Sequence, residues 1–128
     1  MSNFDTAPWA PKVLAILRIV AGLLFLAHGA IKLFGFPEGA QPGQVELLSL
    51  MGIGGLLEFV GGVLLVLGVY VRPVAFVLSG EMAVAYWMFH APKGLYPAVN
   101  GGDAAILFCF VFLYLAFAGG GAWQLKRG

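Results

Sequence analysis

Charge is scarce in this chain. Lys and Arg together number 7, Asp and Glu 6, and charged residues make up 10% of the 128. A net charge of +1 gives no basic surface for nucleic acid, whose binding is dominated by phosphate neutralisation. Cysteine is nearly absent: Cys109 stands alone, which excludes a CxxC redox pair, a zinc set and an internal disulfide. No binding fingerprint for flavin, nicotinamide, iron–sulfur or haem is present either. What the chain has instead is apolar surface. With 61% hydrophobic residues and a mean hydropathy of +0.94, it carries more than a soluble fold of this length can hide from water.

A helix needs about 20 mainly apolar residues to cross the hydrocarbon core. Four candidate spans follow, at about 13–34, 47–68, 73–90 and 104–122. Lys12 followed by Val13 to Ala27 resembles a signal peptide, but three further spans of similar hydropathy and the charges inside this one mark it as a retained first helix. Proline punctuates the boundaries, with Pro11 before the first span, Pro73 opening the third and Pro92 just after it. Only Val69 to Arg72 separate the second and third spans, so these form a tight antiparallel hairpin. The expected fold is an all-α membrane protein, an antiparallel four-helix transmembrane bundle forming a single domain over residues 1–128 with no extramembrane domain. Lys12, Arg72, Lys126 and Arg127 gather on the side of both termini, joined by Arg18, against Lys32 and Lys93 opposite. The positive-inside rule makes that side cytoplasmic, in a bacterial inner membrane.

Seven ionisable residues interrupt these spans or sit at their ends: Arg18, His28, Lys32, Glu58, Glu81, His90 and Asp103. A charge at the bilayer centre costs about 2.5–3.5 kcal/mol on insertion scales, so each must be paired, hydrated or used. At 1.5 Å per residue Glu58 and Glu81 fall near the middle of their spans, with Arg18 nearby towards the termini, while His28, Lys32, His90 and Asp103 lie in the other half. Helical phase points inward too. Arg18, Gly22, Phe25, Gly29 and Lys32 form one face, and Gly54, Glu58, Gly61, Leu65 and Gly68 another, with glycines that let backbones approach closely. On the fourth span Asp103, Leu107, Phe110, Tyr114 and Phe117 stack as an aromatic strip beneath an acidic residue. His90 is out of phase with Glu81 on a straight helix. It belongs to a separate site, or the helix ends before it.

Two readings of the inner group stand side by side: a structural Arg18–Glu58–Glu81 network that holds the helices together, or paired carboxyls that handle protons, with Arg18 tuning them. Lys32 is expected to snorkel to the interface, and Asp103 to cap the fourth helix. The alternative for the outer group is a ligand pocket of His28, Lys32, Asp103 and His90. His28 and His90 are also the only pair able to ligate a haem, though no tight motif holds them. No metal site is expected. Cys109 reads as a small apolar core residue.

The order and spacing of these residues resemble the DoxX family of small bacterial membrane proteins. The likeness runs through Arg18, Gly22, His28-Gly29 and Lys32, then Gly55, Glu58, Gly61-Gly62 and Gly68. It continues through Arg72-Pro73, Glu81-Met82 and Ala85 to Asn100-Gly101-Gly102-Asp103 and Gly121-Ala122-Trp123. The acidic residue after the Asn-Gly-Gly turn is often Glu in such sequences and here is the shorter Asp103. The resemblance implies a four-helix oxidoreductase related to the membrane, quinone-facing component of thiosulfate:quinone oxidoreductases. Quinone is then the expected cofactor-like ligand, with nothing bound covalently. Tyr114 and the aromatic strip would border its tail, and His28, Lys32 and Asp103 its headgroup or a small sulfur anion. Expected partners are membrane lipids, quinone, respiratory or redox subunits and further copies of the chain. The competing classes are a non-enzymatic helical subunit of a larger complex, and a small transporter or proton pathway.

Overall fold

The computed structural model describes residues 6–128. Helix α1 spans Ala10–Phe34, α2 Leu50–Leu67 and α3 Val71–Ala85. The last continues without a break through a π turn at Tyr86–His90 and a 3-10 turn at Ala91–Lys93. A short α4, Pro97–Asn100, precedes α5, Asp103–Ala118. Three of these segments, Ala10–Phe34, Leu50–Leu67 and Val71–Lys93, are long and apolar enough to cross a membrane. The 16 residues of α5 reach only about 24 Å at 1.5 Å per residue, short of the roughly 30 Å hydrocarbon core. The expected fourth span, 104–122, is therefore too long at its end, because the chain leaves the helix at Gly119.

The local chemistry fits these boundaries. Pro11 stands in the first turn of α1, where its missing N–H costs nothing, and Gly35 ends the helix at φ 69°, returning its amide to Ala30 and Ile31. Ser49 caps α2 by accepting a 3.0 Å bond from the Gly52 amide. Gly68 ends α2 in the left-handed region and Tyr70 opens α3 there too, at φ 48°. The connection between them is thus three residues, Gly68 to Tyr70, one fewer than the four the sequence suggests, because α3 starts two residues early and α2 ends one residue early.

The helices pair as α1 with α2 and α3 with α5, and α2 packs against α3 to join the two pairs. Gly22, Gly29 and Gly62 bring the α1 and α2 backbones into direct contact. A Cβ on Gly62 would lie 2.6 Å from the Leu26 amide nitrogen, and one on Gly22 2.9 Å from the Gly62 carbonyl oxygen. Across the bundle, Phe25 of α1 packs edge-on against Phe112 of α5 at 4.6 Å between centroids and tilts against Phe108 at 4.9 Å. Ser79 of α3 donates to the Cys109 carbonyl at 2.7 Å. Phe25, Leu65, Leu78, Phe112 and Leu115 form the buried centre. Aliphatic and aromatic side chains cover the outside, as a lipid-facing surface requires.

The C-terminal segment folds back to the start of the chain. The Ala122 amide donates to the Pro11 carbonyl, the Leu125 and Lys126 amides to Leu67 and Gly68, and Val69 pairs with Lys126. The start of α1, the C-terminal segment and the α2–α3 hairpin therefore share one end of the bundle, here the terminal end. Residues 35–49 and 94–102 lie at the other, the loop end.

Candidate functional site

Near the middle of the bundle, Lys32 and Glu58 form an ion pair. The Lys32 ammonium donates to both carboxylate oxygens at 3.0 Å. Glu58 is almost fully buried and Lys32 only slightly exposed. Gly55, three residues before Glu58, makes the pair feasible: the lysine stem runs over it so closely that a Cβ there would lie 2.7 Å from Lys32 Cβ. Glu81 of α3 brings a second carboxyl to the same side of Gly54 as the first. Gly54 leaves the room, with a Cβ there falling 3.1 Å from Glu81 Oε2 and 3.9 Å from Glu58 Oε2. The other oxygen of Glu81, Oε1, is buried and has no partner.

These groups open into a cavity of about 710 Å³ that reaches to the loop end. Lys32, Glu58 and Glu81 form its polar floor, and His28, His90 and Lys93 lie around it. Phe25, Met82, Phe89 and Phe108 supply apolar walls. His90 reaches this space because of the π turn. Nine residues at about 100° each leave it half a turn from Glu81 on a regular helix. A π turn takes up one residue and brings the ring round. Its orientation is held from outside the cavity, where Nδ1 lies 3.2 Å from the Asn100 carbonyl. A carbonyl only accepts, so that bond puts the proton on Nδ1 and leaves Nε2 free. Asn100 is in turn fixed by bonds to the Tyr86 hydroxyl at 3.1 Å, the Gly94 carbonyl at 3.0 Å and the Gly102 amide at 2.8 Å. His28 sits edge-on to Phe25 at 6.1 Å and is otherwise exposed.

Five of the eight residues singled out from the sequence thus share one cavity: His28, Lys32, Glu58, Glu81 and His90. Three do not. Arg18 is fully buried at the terminal end and bonds not to Glu58 but to the carbonyls of Gly120, Ala122 and Trp123, at 2.7, 2.9 and 3.0 Å. Its Nε has no partner. Asp103 is exposed and is the first residue of α5, whose N-cap is Gly102. Its carboxylate meets the helix dipole rather than capping it with a hydrogen bond. Tyr114 is 58% exposed and lines a second cavity at the terminal end. The strip expected to border a ligand, Leu107, Phe110, Tyr114 and Phe117, is a real helical face, but it points outward, with exposures of 58–73%. The inward face of α5 is Ala105, Phe108, Phe112 and Leu115. Lys32, expected to snorkel, turns inward instead.

The features so far define a helical membrane protein with a charged cavity among its spans, open towards the loop end. Residues 13–91 match the family model DoxX, and the chain belongs to the DoxX family. That stretch carries every residue of the Lys32–Glu58–Glu81 cluster together with His28 and His90, and stops before Asn100 and α5. The chain is 41% identical to an "Uncharacterized protein" of Haemophilus influenzae, over 99% of this chain and 96% of that one. It is 26% identical to "Uncharacterized membrane protein Rv3486" of Mycobacterium tuberculosis, over 91% of this chain and 80% of that one. No solved structure matches it.

Proposed function

We propose that this cavity binds a quinone, and that the protein serves quinone-linked redox chemistry as an integral membrane oxidoreductase or as its membrane subunit. The supporting observation is the combination within one space of an ion pair, a carboxyl with an unpartnered oxygen and a histidine ring nitrogen, walled by aromatic side chains. A quinone takes up two electrons and two protons on reduction to the quinol. Lys32 offers its ammonium to a headgroup oxygen, and Glu81, through its unpartnered Oε1, is the nearest carboxyl to carry a proton to the ring. His90 Nε2 exchanges a proton at the loop end, where water reaches it. The electrons come from a partner redox subunit or a soluble reductant, because the chain carries no redox fingerprint of its own. Phe25 and Phe108 give the ring an apolar wall. On this reading both termini face the cytoplasm, following the basic residues of the terminal end.

Extraction of the protein from its native membrane, followed by chromatography of the organic extract, is expected to yield stoichiometric quinone. A short-chain quinone analogue is expected to bind the stripped protein, and Glu81→Gln to weaken that binding about tenfold. An infrared difference spectrum on binding should show the C=O band of a protonated carboxylic acid, absent in Glu81→Gln. A protein that carries no quinone and binds no analogue overturns the proposal.

A further inference from the structure

The second cavity, at the terminal end, gathers several donors without partners, while the Gly121 and Gly128 carbonyls on its lining are already bonded by the Gln124 side chain and the Arg72 amide. It measures about 660 Å³ and lies where α5 gives way to the segment Gly119–Gly121. Arg72 enters it from α3. Its Nη1 donates to the Phe117 carbonyl at 3.0 Å, closing the end of α5. Nη2 and Nε pass across Gly119, where a Cβ would stand only 3.0 and 3.2 Å from them, and they have no partner of their own. Gly120 and Gly121 follow, and neither amide donates a hydrogen bond among the described residues. Arg127 lines the same space, exposed and unbonded, and Tyr114 stands on its wall. A guanidinium edge, two consecutive free amides and a second guanidinium together make a concave set of positive donors, the chemistry that recognises a tetrahedral anion.

Charge placement agrees. Among the described residues the acidic side chains Glu38, Glu46, Glu58, Glu81 and Asp103 lie in the middle of the bundle or at the loop end, away from this cavity. Tyr114 is continuous with Phe117 on the outward face of α5, so the donors adjoin a surface suited to acyl chains. We infer that this cavity binds the phosphate of an anionic phospholipid headgroup, using Arg72, Arg127 and the Gly120 and Gly121 amides. Basic pockets beside transmembrane helices bind such headgroups elsewhere by the same physics.

The test uses the full chain in nanodiscs and detergent. Native mass spectrometry in equimolar phosphatidylglycerol and phosphatidylcholine is expected to retain the anionic lipid preferentially. Arg127→Gln should lower that preference about fivefold, the usual effect of one basic residue near an anionic surface. Arg72→Gln with Arg127→Gln should abolish it. Because Arg72 also closes α5, Arg127→Gln alone is the variant in which folding is not at stake. Lys126→Gln removes the same charge from the same end but outside the cavity, where Lys126 lies over the Tyr70 ring, and should leave the preference intact. Equal retention of both lipids, or an equal loss in Lys126→Gln and Arg127→Gln, overturns the inference. Displacement of the lipid by inorganic phosphate at matched concentration would overturn the lipid and assign the same donors to a soluble phosphate.

Discussion

Two cations on one helix meet the membrane in opposite ways. Arg18 and Lys32 belong to the same face of α1, four helical turns apart. Arg18 is enclosed by its own chain, its guanidinium filled by three main-chain carbonyls with no carboxylate nearby. Lys32 is paired with Glu58, and beside that pair lie a second carboxyl, an unpartnered oxygen and open volume. The first arrangement leaves over only one buried N–H, Nε, and Arg18 lines neither cavity. The second leaves an acceptor, a second carboxyl and room. Burial of a charge is thus no sign of function by itself, and the informative quantity is what its partners leave over.

Replacing Arg18 gives the largest expected effect. Arg18→Met leaves the buried Gly120 carbonyl and the half-buried Ala122 and Trp123 carbonyls without their partner and removes three charge-assisted bonds, at about 1.5–3 kcal/mol each. Most of the protein should fail to survive detergent extraction at room temperature, and the fraction that does, measured in the cold, should bind the quinone analogue normally. A folded Arg18→Met protein that has lost binding would erase the distinction between the two regions. Next comes Lys32→Met, which leaves Glu58 buried and unpaired at a cost of about 3 kcal/mol. Adding Glu58→Gln should recover most of the thermal stability without recovering binding. If the double variant binds as well as the original chain, the pair is structural too.

Gly55→Ala comes third. Its new methyl meets the Lys32 stem at 2.7 Å, so it should cost about 1–3 kcal/mol by overpacking and weaken analogue binding by displacing the ammonium. His90→Phe should change the midpoint of thermal unfolding least among cavity variants, by less than about 1 kcal/mol, while slowing proton exchange with bound ligand. Tyr114→Phe should lie within about 0.5 kcal/mol of the original and leave quinone binding unaltered, since that side chain lies outside the central cavity. A strong binding defect in Tyr114→Phe would reopen the outward face of α5 as part of the site.

Hydropathy and phase made much of this legible. The glycine-lined faces of α1 and α2 are the buried faces, and Glu58 and Glu81 do meet at one depth. The pairing of cations with anions was misjudged for a reason rooted in helix geometry. Every Cα–Cβ bond tilts towards its own helix N-terminus. On antiparallel helices Arg18 therefore leans to the terminal end while Glu58 leans to the loop end, and the two diverge. Lys32 leans inward along α1 and meets Glu58 coming the other way. Depths measured at the backbone miss this, because a lysine stem covers several residues of rise. The π turn at Tyr86–His90 was equally hidden, since a constant 100° per residue has no place for an extra residue. The early end of α5 follows from the needs of Arg18, a demand placed on one segment by another far away in sequence. On α5 the sequence offered two aromatic faces, and only the packing of Phe25 against Phe108 and Phe112 decides which turns inward.

That clamp also imposes an order on biosynthesis. Arg18 lies 102 residues before Gly120, the first of its acceptors. While the chain is being made, α1 enters the membrane with a bare guanidinium, and α2 and α3 join it before any carbonyl is available. The oxygens that relieve it are delivered only when the ribosome reaches the segment after α5. Assembly of this bundle is therefore completed from its last turn backward to its first helix, and an unfinished chain carries an exposed cation as the mark of its incompleteness.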